Sequence, residues 1–230
     1  MGSYDFGLEN PGATYQRAMN FIFHEFIGKL VDIYIDDVVV KSGNLKKHLD
    51  DLRKVLECTR KHGLKVNPNK CAFGVSAGQF LGFMVHQRGI EIRRRSIDAI
   101  SKIVAPTNKT ELKSLIGKIN FIRRFLSNLS SKIRAFSPLL KFKAGQEFVW
   151  GKEQQLALDE IKNYLANPPV LVAPQHGKPF RLYLSTNDTV ISSTLIQQFE
   201  GKERVNYYLS RRLVDVETRY SVIEKLCLCL

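Results

Sequence analysis

The sequence predicts an α+β fold, and three patterns of apolar residues support this prediction. Apolar residues recur at helical spacing over residues 14–27, alternate with polar residues from Val31 to Ile35, and form one helical stripe from Leu112 to Leu129. The chain has 230 residues, of which 44% are hydrophobic and 25% are charged. It is therefore large enough to build a core in one large or two small domains.

The first predicted elements are a helix and a β-hairpin. Residues 14–27 should form an amphipathic helix that stops at Gly28. The run from Val31 to Val40 predicts two short apolar strands. The adjacent Asp36 and Asp37 fall where this hairpin turns.

A second helix and several short strands follow. The helix is predicted from Leu45 to Lys61, and Gly63 closes it. Residues 71–92 contain short apolar runs separated by glycines, a pattern that is typical of short strands. The apolar residues that should face inward from the second helix are Leu49, Leu52, Val55 and Leu56.

From residue 96 onward the pattern becomes helical, and the other faces of the apolar stripe carry basic side chains. The last third of the chain predicts a helix over residues 156–165 and strands over residues 180–184 and 190–197. These changes divide the chain into predicted domains at residues 1–95, 96–150 and 151–230.

The positive charge of the chain is concentrated in its middle. Lys and Arg number 35 against 22 Asp and Glu, which gives a formal net charge of +13. Residues 41–150 hold 23 Lys and Arg against 7 Asp and Glu, and residues 93–143 hold 13 basic residues against Asp98 and Glu111 alone. Such a region is typical of a surface that follows a sugar-phosphate backbone. We therefore favour nucleic acid over a membrane surface as the partner.

The cysteines and the apolar runs exclude several other classes of protein. The four cysteines form no C-x-x-C pair and lack histidines at zinc-ligand spacing. They therefore predict reduced thiols in an intracellular protein rather than a disulfide framework or a zinc site. Charged residues interrupt the longest apolar runs, so neither a signal peptide nor a membrane span is predicted.

Asp36 and Asp37 are the candidate metal ligands. A pair of aspartates in a turn is usually only solvated, but here the flanking strands are strongly apolar. Two carboxylates held at the tip of such a hairpin repel each other unless a cation lies between them. Two Mg²⁺ ions, bound by carboxylates and substrate phosphates, meet this requirement in polymerases.

Several motifs resemble the reverse transcriptases of gypsy-class LTR retrotransposons of the plant type. Residues 34–37, Tyr-Ile-Asp-Asp, resemble the Y-x-D-D hairpin of these enzymes (the YxDD hairpin), and residues 6–16 resemble their F-G-L-x-N-A-G-A-T-Y-Q segment. Residues 62–71 are similar to the segment that follows the hairpin, and residues 111–125 are similar to the thumb. The resemblance implies a partial reverse-transcriptase palm with a helical thumb, followed by a connection and a partial RNase H-like α/β segment of a Pol polyprotein.

The resemblance also implies roles for individual residues. Asp36 and Asp37 would be catalytic metal ligands, and Lys70 a candidate proton donor to pyrophosphate, with a solvated loop lysine as an equal alternative. The residues implied to contact the nucleotide or template are Phe6, Gly7, Gln16 and Tyr34. The residues that look like the primer grip are Phe80, Leu81 and Gly82. The residues implied to bind nucleic acid (the thumb cations) are Lys113, Lys118, Arg123 and Arg124.

Both metal sites of the family are expected to be incomplete. In the family a further palm aspartate and the fingers precede residue 6, so we expect this chain to be catalytically incomplete. In the RNase H-like segment, Ser185 stands at the position of the first aspartate and Leu226 at that of the glutamate. Asp188 and Glu224 are close in sequence but out of register, so we interpret them as surface residues of a domain that does not cut RNA.

Three functions remain open on this sequence. The first is a piece of an RNA-directed DNA polymerase, which would use a primed RNA/DNA template, deoxynucleotide triphosphates and two Mg²⁺ ions together with the remainder of the Pol polyprotein. The second is a non-catalytic module that binds nucleic acid, and the third is an inert retroelement remnant. The expected location is intracellular, in the cytoplasm, a virus-like particle or the nucleus.

Overall fold

The computed structural model describes residues 10–141 and 147–230, and the chain divides into two compact units. Unit 1 ends at Leu81 and unit 2 begins at Gly82, so the division falls before the predicted boundary at residue 95. Unit 2 continues across the second predicted boundary at residue 150. The reason is that residues on both sides of position 150 pack into one hydrophobic core.

Unit 1 begins with a helix that leads into the YxDD hairpin. Helix α1 spans Pro11–Ile22 rather than the predicted 14–27, because Pro11 suits a first helical turn and the chain turns back after Phe23. Strands β1 (Val31–Tyr34) and β2 (Asp37–Val40) form the predicted antiparallel hairpin.

Helix α2 spans Leu45–Lys61 as predicted, but its buried face differs from the prediction. Leu49 is 72% exposed and Leu56 is 42% exposed, whereas Asp51 is buried. The Asp51 carboxylate accepts a hydrogen bond from the Ser42 hydroxyl at 2.9 Å, which compensates its burial. The predicted inward orientation of the two leucines is therefore wrong, since periodicity identifies an apolar stripe but not the face that meets neighbouring elements.

Unit 1 continues with a 3₁₀ turn at Pro68–Lys70 and ends with strand β3 (Ala77–Phe80). Its small core joins α1, the YxDD hairpin and α2. The buried members of this core are Met19, Ile22, Phe23, Val31 and Val55. The hairpin is thus attached at its base to two helices, while its turn projects from the core.

Unit 2 begins with the antiparallel strands β4 (Phe83–His86) and β5 (Gly89–Ile92). The apolar stripe from Leu112 to Leu129 is buried as predicted, but it does not form one helix. A 3₁₀ turn at Arg123–Phe125 and the left-handed Asn128 (φ = 48°) interrupt it. The helices of this part are α3 (Arg94–Ser101), α4 (Lys109–Phe121), α5 (Leu129–Lys132), α6 (Ser137–Leu140) and α7 (Lys152–Ala166).

The end of unit 2 is a three-stranded antiparallel sheet in the order β6-β7-β8. Its strands are β6 (Phe180–Thr186), β7 (Val190–Phe199) and β8 (Lys202–Arg212), which include the predicted runs at 180–184 and 190–197. Helix α8 (Val222–Cys227) contacts β6. The combination of helices and antiparallel sheets confirms the predicted α+β class.

Three hydrogen bonds are among the contacts that join the end of unit 2, from Leu171 onward, to the rest of that unit. Ile90 and Leu171 exchange backbone hydrogen bonds in both directions, at 2.8 and 3.0 Å. The Ser210 hydroxyl accepts a hydrogen bond from the Ser130 N–H at 3.0 Å.

None of the helices within the described ranges is long and apolar enough to cross a membrane.

Candidate active site

The YxDD hairpin holds two exposed carboxylates at its tip. Tyr34 pairs with Asp37, so Ile35 and Asp36 form a two-residue turn. Asp36 and Asp37 are both exposed, and Tyr34 is 53% exposed. The two predicted metal ligands therefore face solvent rather than hydrocarbon, as a metal-binding role requires.

The turn contains a strained residue. Ile35 adopts a left-handed backbone conformation, with φ = 48°. A β-branched residue rarely does so, and such strain costs of order 1–3 kcal/mol and is concentrated at functional sites. The Ile35 Cδ1 atom lies 3.9 Å from the position that a Cβ on Gly12 would occupy. The first turn of α1 thus packs against the residue that precedes Asp36.

Gln16 of α1 is hydrogen-bonded to the same turn. Its Oε1 accepts a hydrogen bond from the Ile35 N–H at 2.6 Å. Its Nε2 donates to the Ile33 carbonyl at 3.5 Å and to Asn20 Oδ1 at 2.9 Å. The contact of Gln16 with the nucleotide or template stays a prediction. Asn20, which binds the Gln16 amide, was not among the predicted site residues. The signal for Asn20 was a pair of amide side chains four residues apart on one helix face.

The hairpin supplies part of a metal-binding set. Asp36 and Asp37 offer carboxylate oxygens, the ligand type that Mg²⁺ prefers. Within residues 10–141 and 147–230, no group of three or more His, Cys, Asp or Glu side chains could hold a metal ion. The donor type therefore fits Mg²⁺, and two carboxylates leave coordination positions for water and phosphate oxygens.

Three further predicted residues stay predictions. Lys70 is exposed at the end of the 3₁₀ turn, where the Asn67 side chain accepts a hydrogen bond from the Asn69 N–H at 3.0 Å. Both hypotheses for Lys70, a proton donor or a solvated lysine, are compatible with this position. Phe6 and Gly7 lie outside the residues that the structure describes.

The predicted primer grip contains a sharp turn. Leu81 and Gly82 both have left-handed backbones, with φ = 51° and φ = 80°. A Cβ placed on Gly82 would lie only 2.6 Å from Cζ of Phe121, so a side chain at this position would displace that ring. Phe80 ends strand β3 and is half-buried. The role of Phe80, Leu81 and Gly82 in holding a primer stays a prediction.

The thumb cations, Lys113, Lys118, Arg123 and Arg124, are all exposed on unit 2. The Arg124 guanidinium lies 5.2 Å from the centroid of the Phe83 ring, which stacks on Phe121 at 5.0 Å. In the part of the chain that the structure describes, no carboxylate forms a salt bridge with any of the four. Their positive charge is therefore available to an external anion.

Acidic residues of the RNase H-like segment have structural or exposed positions. Glu224 accepts a hydrogen bond from the Ser221 N–H at 2.8 Å in a capping box of α8, and this bond lowers the pKa of its carboxyl group. Asp188 is exposed in the turn between β6 and β7. Ser185 lies on β6 and Leu226 on α8, at the two positions where carboxylates were expected in the family.

Comparisons with protein families agree with these features. The family model of the reverse transcriptase (RNA-dependent DNA polymerase) matches residues 4–85. The model of the RNase H-like domain found in reverse transcriptase matches residues 150–230. The first match contains the YxDD hairpin, and the second contains the sheet of β6, β7 and β8.

The chain is also similar to polyproteins of mobile elements. It is 32% identical over 229 residues to a retrovirus-related Pol polyprotein from the transposon opus of Drosophila melanogaster, covering 96% of this chain and 23% of that protein. It is 27% identical over 222 residues to the transposon Tf2-3 polyprotein of Schizosaccharomyces pombe, covering 96% of this chain and 16% of that protein. The chain thus spans less than a quarter of the length of these relatives.

Solved structures share the fold. One is a foamy viral protease-reverse transcriptase in complex with an RNA/DNA hybrid, with a TM-score of 0.82 and 24% identity over 98% of this chain and 30% of that chain. Another is the foamy viral enzyme in complex with double-stranded DNA, also at a TM-score of 0.82 and 24% identity, covering 97% of this chain and 46% of that one.

The two family models match a reverse transcriptase region at residues 4–85 and an RNase H-like region at residues 150–230, and the fold is shared with solved reverse transcriptases. The homologues of the chain are retrotransposon Pol polyproteins, and the chain corresponds to one region of them. Similarity to a Drosophila element is consistent with the predicted gypsy class. The predicted plant type stays a prediction.

Proposed function

We propose that this chain supplies the metal-binding hairpin and the duplex-binding helices of a retrotransposon RNA-directed DNA polymerase. The observation that carries the proposal is the exposed pair Asp36 and Asp37 at the tip of a strained turn. The substrates would be a primed RNA/DNA template and deoxynucleotide triphosphates, and the remainder of the Pol polyprotein would complete the site. The location would be intracellular, which four free cysteines support.

The chemistry of the hairpin explains its role. When bound, two Mg²⁺ ions activate the 3′ hydroxyl of the primer and stabilise the departing pyrophosphate. Asp36 would bind metal through its carboxylate, with Asp37 as the adjacent ligand on β2. Tyr34 would contact the nucleotide or the template through its exposed ring. Lys70 would transfer a proton to the pyrophosphate from the exposed 3₁₀ turn.

Replacing Asp36 by Asn tests the metal-binding role. The readout is the Mn²⁺-dependent broadening of NMR signals from residues 35–37, and primer extension on an RNA/DNA hybrid is the functional readout. The variant should lose both the broadening and any extension, because an amide is a poor ligand for a hard cation. Asp50→Asn, an exposed change on α2 beside Arg53, is the matched control and should change neither. Extension that survives Asp36→Asn would refute the proposal.

A second candidate function is a non-catalytic module that binds nucleic acid. The observation that favours it is the exposure of the thumb cations, which have no carboxylate partner among the described residues. Such a surface binds phosphates without reading the base sequence. This function requires no metal, so the chain would keep it even when Asp36 is replaced.

The salt dependence of duplex binding tests this second function. Each duplex phosphate contact contributes about 0.9 to the negative slope of log affinity against log salt. Replacing Arg123 and Arg124 by Ala should therefore reduce the magnitude of the slope by about 1.8, equally for all sequences. The control is the double replacement of Lys46 and Lys47, which removes the same charge from the exposed start of α2. An equal effect of both pairs, or a sequence-selective loss, would contradict a thumb role.

A further inference from the structure

Gln16 makes three hydrogen bonds, and two of them attach it to the backbone that carries the paired aspartates. Its Oε1 accepts from the Ile35 N–H at 2.6 Å, and its Nε2 donates to the Ile33 carbonyl at 3.5 Å. Its third contact, to Asn20 Oδ1 at 2.9 Å, lies on its own helix. Because Asn20 Oδ1 can only accept, it orients the Gln16 amide nitrogen and leaves Oε1 directed at Ile35.

The turn needs such a partner. In the described part of the chain, Gln16 Oε1 is the acceptor that the structure gives to the Ile35 N–H. Ile35 is also the residue with the strained left-handed backbone, so its conformation is the one that a lost bond would release. Asp36 follows directly, and a rotation of the Ile35 backbone would redirect its carboxylate.

We infer that Gln16, oriented by Asn20, is a positioning residue for the Asp36–Asp37 metal site. Gln16 acts through the backbone of Ile35: its hydrogen bond stabilises the left-handed turn in which the two carboxylates are exposed side by side. This inference rests on the proposed function, because positioning is relevant only if the hairpin binds metal. It gives Gln16 a role that does not require contact with the nucleotide or the template.

Backbone exchange and metal affinity test the inference in the full 230-residue chain. A typical net hydrogen-bond contribution corresponds to roughly a threefold to tenfold change in an opening equilibrium. Gln16→Leu should therefore accelerate exchange of the Ile35 amide by that factor and raise the Mn²⁺ Kd at the hairpin similarly, while the unfolding midpoint of the chain changes little. Gln16→Glu keeps an acceptor and should preserve the protection of Ile35. Asn20→Leu should give a smaller acceleration than Gln16→Leu.

The control is Arg17→Leu, which places the same side chain on the exposed face of α1. It should leave both the Ile35 exchange and the Mn²⁺ affinity unchanged. Equal acceleration in Gln16→Leu and Gln16→Glu, or unchanged exchange and affinity in Gln16→Leu, would overturn the positioning role. If the unaltered chain shows no Mn²⁺ effect at Asp36 and Asp37, the proposed function itself is refuted, so the two failures are distinguishable.

Discussion

Replacing Gly89 by Ala should lower the free energy of unfolding of unit 2, because the added methyl group has no space. Gly89 has φ = 137°, and a Cβ built on it would lie 2.1 Å from the carbonyl oxygen of Leu171. That contact is with backbone, so it cannot be relieved by rotating a side chain. The neighbouring Ile90 exchanges two backbone hydrogen bonds with Leu171, and these bonds would have to break for the strands to separate.

The expected magnitude of Gly89→Ala follows from two contributions. A left-handed backbone costs a non-glycine residue about 1–2 kcal/mol. Loss of the two hydrogen bonds costs about 0.5–1.5 kcal/mol each. The variant should therefore lose about 2–5 kcal/mol in the free energy of unfolding of unit 2. For a unit of this size, the midpoint of thermal unfolding should fall by roughly 5–20 °C.

Urea denaturation followed by tryptophan fluorescence measures this loss. Trp150 is the single tryptophan of the chain and stacks on Phe136 in unit 2 at 5.5 Å, so its emission reports that unit. Gly117→Ala is the control, since Gly117 lies inside α4 with open space where a Cβ would be added, and should stabilise the unit by about 0.5–1 kcal/mol. A loss below about 1 kcal/mol in Gly89→Ala would refute the close approach of Leu171.

Two other predictions concern unit 2. Gly82→Ala should destabilise it by about 1–3 kcal/mol, since the new Cβ would lie 2.6 Å from Phe121, and Phe121→Ala should reduce the loss in urea denaturation. An equal loss of unfolding free energy from Gly82→Ala in the unaltered chain and in the Phe121→Ala variant would contradict a clash with the Phe121 ring. Hydrogen bonds from Arg211 hold the pKa of the Glu217 carboxyl group at about 2. The ionised carboxylate therefore stabilises the fold fully above the ordinary carboxyl pKa of about 4.3, and this stabilisation is lost as the pH falls toward about 2. Glu217→Gln should therefore flatten the fall in melting temperature between about pH 4 and pH 2, and an unchanged slope in circular-dichroism melts would contradict this.

Local patterns in the sequence predict the bounds of a helix better than they predict which of its side chains are buried. The bounds of α2 agree with the prediction because helical periodicity and the closing Gly63 are local signals. The exposure of Leu49 and Leu56 depends instead on where the hairpin and α1 lie, and the burial of Asp51 is compensated by a hydrogen bond from Ser42. Neither fact is contained in the spacing of apolar residues along one helix.

In the candidate site, too, local features could be predicted from the sequence and contacts between distant residues could not. The hairpin and the position of Asp36 in its turn could be predicted, because alternation fixes the strands on either side, whereas Asp37 is the first residue of β2. The left-handed Ile35 and its bond to Gln16 could not, since they join residues 19 positions apart and depend on the packing of α1 against the hairpin. The close approach of Gly89 to Leu171 could not be predicted either, since it joins distant parts of the chain that share the core of unit 2.

The division into units makes the two proposed activities separable by experiment. Asp36 and Asp37 belong to unit 1, whereas the thumb cations belong to unit 2 and are carried by helices with a core of their own. Asp36→Asn should therefore remove metal binding and leave the salt slope of duplex binding intact, while the double replacement of Arg123 and Arg124 should do the reverse. A variant of either kind that removes both properties would show that metal and duplex binding depend on one coupled structure.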